Sequence, residues 1–222
     1  MDVNVWWAFF AASWLISLSP GSAAVLSMGH GLAYGVRATS VSIAGMGLGL
    51  ALVLLVAGAG VGALLLASAT AFTAVKVLGA GYLMWLGWQQ WRAPVLDAPP
   101  PMDEAVRATN ASMALNTDVP SARQRFTTGF LTNATNPKGI VFMVAVLPQF
   151  ISPSRPLWLQ LLLLLVTSVT VEVLVMHGYA FLASRAQRWL ATARARRAQN
   201  RVFGGVLMAM GASLLLVKRA AA

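Results

Sequence analysis

Glu172 is the one carboxylate that lies well inside an apolar run of this 222-residue chain, about midway along 157–183. A charge is costly there, and an ionisable group so placed ordinarily faces a cavity, a partner or an ion path, which makes Glu172 a candidate proton carrier. At about 100° per residue, Ser168 and Tyr179 share its helix face, while His177, five positions on, falls on another and is a more distant candidate for the same path. Two short segments offer a second kind of chemistry. Ser19-Pro20-Gly21-Ser22 and Asn136-Pro137-Lys138-Gly139 each set a proline beside capping side chains, within or at the edge of an apolar stretch. Proline removes an N–H and frees a carbonyl, and hydrocarbon supplies no substitute, so such a break survives where protein or a wet cavity satisfies it. The open N–H groups and positive helix end after Pro20 or Pro137 could receive a carboxylate, and freed carbonyls or Glu172 could receive an ammonium group. Asn133, Thr135, Asn136 and Gln149 add neutral donors and acceptors. The set suits a small zwitterion and needs no covalent step. The plainer readings are Ser19 and Asn136 as simple helix caps, Lys138 as a snorkelling interface residue, and Glu172 as a strut held by Lys138 or Asn136.

The elements that must carry these residues are membrane spans. Of the chain, 58% is hydrophobic and 10% charged, which excludes an ordinary soluble domain. Runs of about 20 apolar residues mark six spans, at 5–28, 39–67, 71–91, 126–151, 157–183 and 202–217. No Lys or Arg precedes the first, so it reads as a retained span and not a secretory signal. The links after the second and fourth spans carry little charge, while those at 29–38, 92–125 and 184–201 hold Arg37, four arginines, and Arg185 with five more. The positive-inside rule puts these basic links in the cytoplasm and both termini outside. The proline-rich link 92–125 then joins two halves, 5–91 and 126–217, of one membrane domain spanning 1–222. The halves echo each other. Ser19-Pro20 and Asn136-Pro137 both read as an N-cap followed by proline at the first helical position. Lys76-Val77-Leu78-Gly79-Ala80 is echoed by Arg201-Val202-Phe203-Gly204-Gly205. With three spans per half the second copy is upside down, so the expected fold class is an all-α membrane protein of two inverted three-helix repeats. Gly45 and Gly49, then Gly58 and Gly62, lie four apart and let helices approach closely.

The rest of the composition narrows the chemistry. There are no cysteines and two histidines, His30 and His177, which excludes thiol redox chemistry, disulfides and a four-ligand His/Cys metal cage. No metal and no cofactor is expected. The net charge of +10 sits mostly in the basic links, and no nucleic-acid motif accompanies it, so the expected surface partner is the lipid bilayer and not nucleic acid. The eight tryptophans fall mostly near span ends, as interfacial anchors do.

One family shares these motifs in this order: Leu18-Ser19-Pro20-Gly21-Ser22, Ser42-Ile43-Ala44-Gly45, Val77-Leu78-Gly79-Ala80-Gly81-Tyr82-Leu83 with Trp85-Leu86-Gly87, Asn133 with Asn136-Pro137-Lys138, Leu147-Pro148-Gln149-Phe150, and Asn200-Arg201-Val202-Phe203-Gly204. The chain resembles the LysE/RhtB amino-acid exporters over nearly its whole length, most of all the homoserine/homoserine-lactone and threonine branch. The resemblance implies a non-enzymatic inner-membrane exporter of a small neutral amino acid, driven by proton antiport. Its partners would be that amino acid, protons and the bilayer, with room for a homo-oligomer. Many members carry Pro-Gly-Pro where this chain has Pro20-Gly21-Ser22, and the family often has aspartate where Glu172 stands. Leucine or basic amino acids are alternative cargoes by the same likeness, although the single intramembrane carboxylate speaks against a basic one. A metal-ion carrier has too few ligands here, and an intramembrane enzyme would need His177 and Glu172 on one face.

Overall fold

The computed structural model describes residues 1–19, 21–67, 69–92, 120–152, 154–185 and parts of 197–212, with the backbone alone for 61–72, 75 and 76. Pro20, most of the link 92–125, the arginine-rich stretch 186–196 and much of the expected last span 202–217 lie outside the described residues. Among the described residues the fold is all helical. In order come α1 (Val3–Leu18), α2 (Ser22–Ala67), α3 (Ala69–Arg92), α4 (Ala122–Ala134), α5 (Pro137–Val146), a 3-10 turn (Leu147–Phe150) and α6 (Leu157–Arg185).

The first expected span is broken where its proline stands, between α1 and α2. The expected loop 29–38, in contrast, is helical apart from Gly35, whose φ of 76° and ψ of 167° turn the chain at a single residue. Only glycine adopts such a conformation without strain, so one residue replaces a loop. Thr39 and Ser40 then donate back to the Gly35 and Val36 carbonyl oxygens at 2.8 and 3.2 Å as the second stretch of α2 begins. The helix at the fourth expected span starts at Ala122, earlier than the apolar run suggested. A capping box explains the extension: Gln124 N donates to Ser121 Oγ at 3.2 Å, and Ser121 N donates to Gln124 Oε1 at 2.8 Å.

Among the described residues two helices, Ser22–Gly60 and Leu157–Arg185, are long and apolar enough to cross a bilayer, and Val3–Leu18 and Pro137–Phe150 are shorter apolar helices. Their outer faces are apolar: Leu48, Leu52 and Leu55 of α2 and Leu162, Val166 and Leu174 of α6 are exposed. Such faces suit lipid, which makes no demand for polar cover.

Contacts along the helices give their directions. Asp2 meets Arg155, Trp6 Nε1 donates to Thr167 Oγ1, and Ser17 meets Glu172, so α1 and α6 run parallel. The second stretch of α2 runs parallel to α4. There Gly45 and Gly49 press on the α4 backbone so closely that a methyl group on either would strike the Phe126 or the Phe130 carbonyl oxygen, respectively. Against α6 the same stretch is antiparallel, with Ser40 beside His177 and Gly58 beside Leu161. The described residues of the last segment run antiparallel to α3, Gly204 lying against Gly87 and Gly211 against Ala80.

Two apolar clusters frame the centre. One gathers Phe9, Ile16, Leu50, Phe142 and Met143, and the other Ala23, Ala24, Ile43, Val171 and Met176. The polar residues of the two breaks fall between them.

Candidate functional site

The first break is a wide one. α1 stops at Leu18, and α2 restarts at Ser22. Ser19 was expected to cap the helix that follows; it is instead the C-cap of α1, with an extended backbone (φ −70°, ψ 121°) as befits a residue before proline. Ile16 stands four residues before Pro20, so its carbonyl lacks the ordinary donor and accepts instead from Ser19 N at 3.3 Å.

Side chains from the other half of the chain supply the missing donors. Lys138 Nζ donates to the Ser19 carbonyl oxygen at 2.7 Å and to that of Ile16 at 3.3 Å. The Tyr179 hydroxyl donates to the Leu18 carbonyl oxygen at 2.6 Å. A cation at a helix C-terminus also complements the helix dipole. Gly21 leaves the space for it, since a Cβ there would lie 3.1 Å from Lys138 Nζ. Lys138 is therefore held by backbone carbonyls and does not snorkel, and it makes no direct ion pair with Glu172 among the described residues.

The second break is narrow and self-contained. Asn136 is the N-cap of α5 with Pro137 in the first turn, as the sequence suggested, and Asn136 Oδ1 accepts from Lys138 N at 3.1 Å. Thr135 N donates to the Leu131 carbonyl oxygen at 3.0 Å and Asn136 N to that of Asn133 at 3.1 Å. Every one of these partners is local.

Glu172 is 7% exposed and is held by residues other than the two expected. Ser17 Oγ donates to its Oε2 at 3.1 Å, and Asn133 Nδ2 donates to its Oε1 at 3.2 Å. Asn133 Nδ2 also donates to the Met46 carbonyl oxygen at 2.9 Å, tying α4 to α2 at the same point. Asn136 instead caps α5 through its Oδ1.

A cavity of about 40 Å³ opens between the two breaks, lined by Ser17, Ser19, Asn133, Asn136, Lys138 and Glu172 among others. At roughly 10–15 Å³ per water centre it has room for about three small polar groups. The Lys138 ammonium and the Glu172 carboxyl both face it without pairing, for the one ion pair among the described residues is Arg155 with Asp2 at 2.8 Å. Ser168 lines it too, one turn before Glu172.

The other expected residues are placed elsewhere. Gln149 lies in the 3-10 turn and donates back to the Ala145 carbonyl oxygen at 3.0 Å. His177 Nε2 meets Ser40 Oγ at 2.9 Å and its Nδ1 meets the Val173 carbonyl oxygen at 2.8 Å, away from the cavity and on another face from Glu172. Ser22 opens α2 and Pro137 opens α5, and neither lines the cavity. Sequence reading missed Ser13 and Ser17 of α1, both of which line it. Their spacing of four, on the face of an apolar helix that ends in a break, was the available signal. His30 was also left unused; it is buried, with Nδ1 2.7 Å from Ser42 Oγ, outside the cavity.

Fold and site together define a class, a multi-pass bacterial membrane protein with a polar cavity where broken helices meet. The LysE type translocator family matches residues 14–218, and the chain belongs to that family. It is 40% identical, over 98% of its length and all of the relative's, to an uncharacterized membrane protein of Vibrio cholerae. It is 38% identical, over 99% of its length and all of theirs, to proteins named homoserine/homoserine lactone efflux protein in Salmonella typhi and Salmonella typhimurium. No solved structure matches it.

Proposed function

We propose that this protein is an inner-membrane secondary transporter that exports small neutral amino acids or their derivatives, such as homoserine, threonine and homoserine lactone, in exchange for protons. The observation that carries the reading is the shared cavity, in which an unpaired ammonium group and a carboxyl group stand at the junction of two helix breaks. An amino acid is the complement of that pair. Its carboxylate draws Lys138 away from the Ile16 and Ser19 carbonyls, and its ammonium group meets Glu172. Because Lys138 holds the first break closed, substrate binding releases that break and couples occupancy to movement of α1. Glu172 is the proton site, and protonation changes what its oxygens can accept from Ser17 and Asn133. The names of the Salmonella relatives support the choice of cargo.

The transport framework proposed here is six spans in two inverted halves, 5–91 and 126–217, joined by a cytoplasmic link 92–125. The antiparallel course of α2 against α6 and of α3 against the last segment supports it, since corresponding spans of inverted halves must oppose each other. The test is efflux from cells of a bacterial host lacking its own amino-acid exporters, loaded with labelled homoserine, threonine, leucine or lysine. Expression of the chain should speed loss of homoserine and threonine. Unchanged efflux of all four would overturn the reading, and a gain confined to leucine or lysine would overturn the choice of cargo.

A further inference from the structure

We propose that Ser13 and Ser168 read a hydroxyl group on the side chain of the transported amino acid, so that the cavity selects hydroxylated amino acids over their apolar isosteres. The inference rests on the exporter reading above and adds the residues that set its specificity.

Both hydroxyls are buried, at 3% exposure each, and both oxygens line the cavity without a hydrogen-bond partner among the described residues. That is unusual for a helix hydroxyl in apolar surroundings, whose ready partner is the carbonyl one turn back. Elsewhere in this protein that bond is made. Thr39, Ser40, Thr135 and Thr167 donate to the Gly35, Val36, Leu131 and Leu163 carbonyl oxygens at 2.8, 3.2, 2.8 and 2.7 Å. Ser13 and Ser168 sit inside unbroken helix, with the Phe9 and Leu164 carbonyls one turn back, and forgo the bond. Their oxygens are left for an occupant of the cavity.

Their position fits a side-chain hydroxyl. Ser13 is one turn before Ser17 on α1, and Ser168 one turn before Glu172 on α6, and the two helices run parallel. The serine pair thus lies about 6 Å, a little over one helical turn, from the level of the Glu172 carboxyl. Lys138 grips the chain at Ile16 and Ser19, on either side of Ser17, so both charged groups lie C-terminal to Ser13 along α1. The serine hydroxyls therefore lie to one side of the Lys138 and Glu172 groups, as the hydroxyl of a short hydroxyamino acid lies to one side of its carboxylate and ammonium groups. A pocket built to hydrogen-bond a hydroxyl rejects the analogue that lacks it, because its own polar atoms are then left open.

The experiment compares L-homoserine with L-norvaline, in which a methyl group replaces the hydroxyl, using the full chain reconstituted in liposomes. Wild type should carry homoserine at least about tenfold faster than norvaline, and Ser13→Ala with Ser168→Ala should bring that ratio to within about twofold of unity. The single variants should fall between, which covers a double variant too unstable to assay. Equal wild-type rates for the two amino acids, or a ratio unchanged in the variants, would overturn the inference while leaving the exporter reading standing. Transport of neither by wild type would overturn both.

Discussion

The two helix breaks share a proline and little else. At Thr135–Asn136 the backbone is satisfied from within a few residues: Asn136 caps α5, and Thr135 and Asn136 donate into the preceding turn. At Ser19–Gly21 the Ser19 N–H also donates into the preceding turn, but the carbonyls of Ser19 and Leu18 are satisfied from afar, by Lys138, 119 residues from Ser19, and by Tyr179, 161 residues from Leu18. The first kind of break is a permanent corner. The second holds only while other helices stay in place, so it can open when they move or when a competing acceptor reaches Lys138. The sharpest way to test that contrast is to remove the distant donors and the local cap in turn.

The largest effect is expected from Lys138→Met, which strips the charged donor from the Ser19 carbonyl and leaves that of Ile16 with Ser19 N alone at 3.3 Å. At about 1–3 kcal/mol for each buried polar group left open, the variant should lose roughly 2 kcal/mol or more, seen as a lower melting temperature in detergent by tryptophan fluorescence. It should also lose homoserine transport, and full stability with full transport would remove Lys138 from both roles. A smaller loss, about 1 kcal/mol, should follow Tyr179→Phe, which removes a single neutral donor from the Leu18 carbonyl. The smallest belongs to Asn136→Ser, since serine caps a helix about as well as asparagine and stability should stay within about 0.5 kcal/mol of wild type. If the Asn136 variant proved the more damaging, the contrast between a local and a borrowed break would be reversed.

The same contrast explains what could be read from the sequence. Asn136-Pro137 is a local signal, and local chemistry delivers the expected cap. Ser19-Pro20 looks identical on paper, but the bonds that settle it come from α5 and α6, so its role as C-cap of α1 and the grip of Lys138 were out of reach of a one-dimensional pattern. Glu172 was legible because an acid in an apolar run is conspicuous, and its stripe with Ser168 and Tyr179 follows from helix spacing. Its partners Ser17 and Asn133 were not, for they lie 155 and 39 residues away. Ser13 and Ser17 escaped notice because a serine in an apolar helix ordinarily bonds its own backbone. The turn at Gly35 was hidden for a related reason: in the sequence it is one glycine among many, and only its backbone angles show that it replaces a loop.

The central claim, that this cavity couples a small amino acid to protons through Glu172, is tested most directly in liposomes carrying either wild type or Glu172→Gln. An interior-acid pH gradient is imposed, and accumulation of labelled homoserine is measured beside homoserine exchange without a gradient. Wild type should accumulate homoserine until the gradient is dissipated, whereas the variant should show exchange but no gradient-driven accumulation. Accumulation by Glu172→Gln equal to that of wild type would contradict the account.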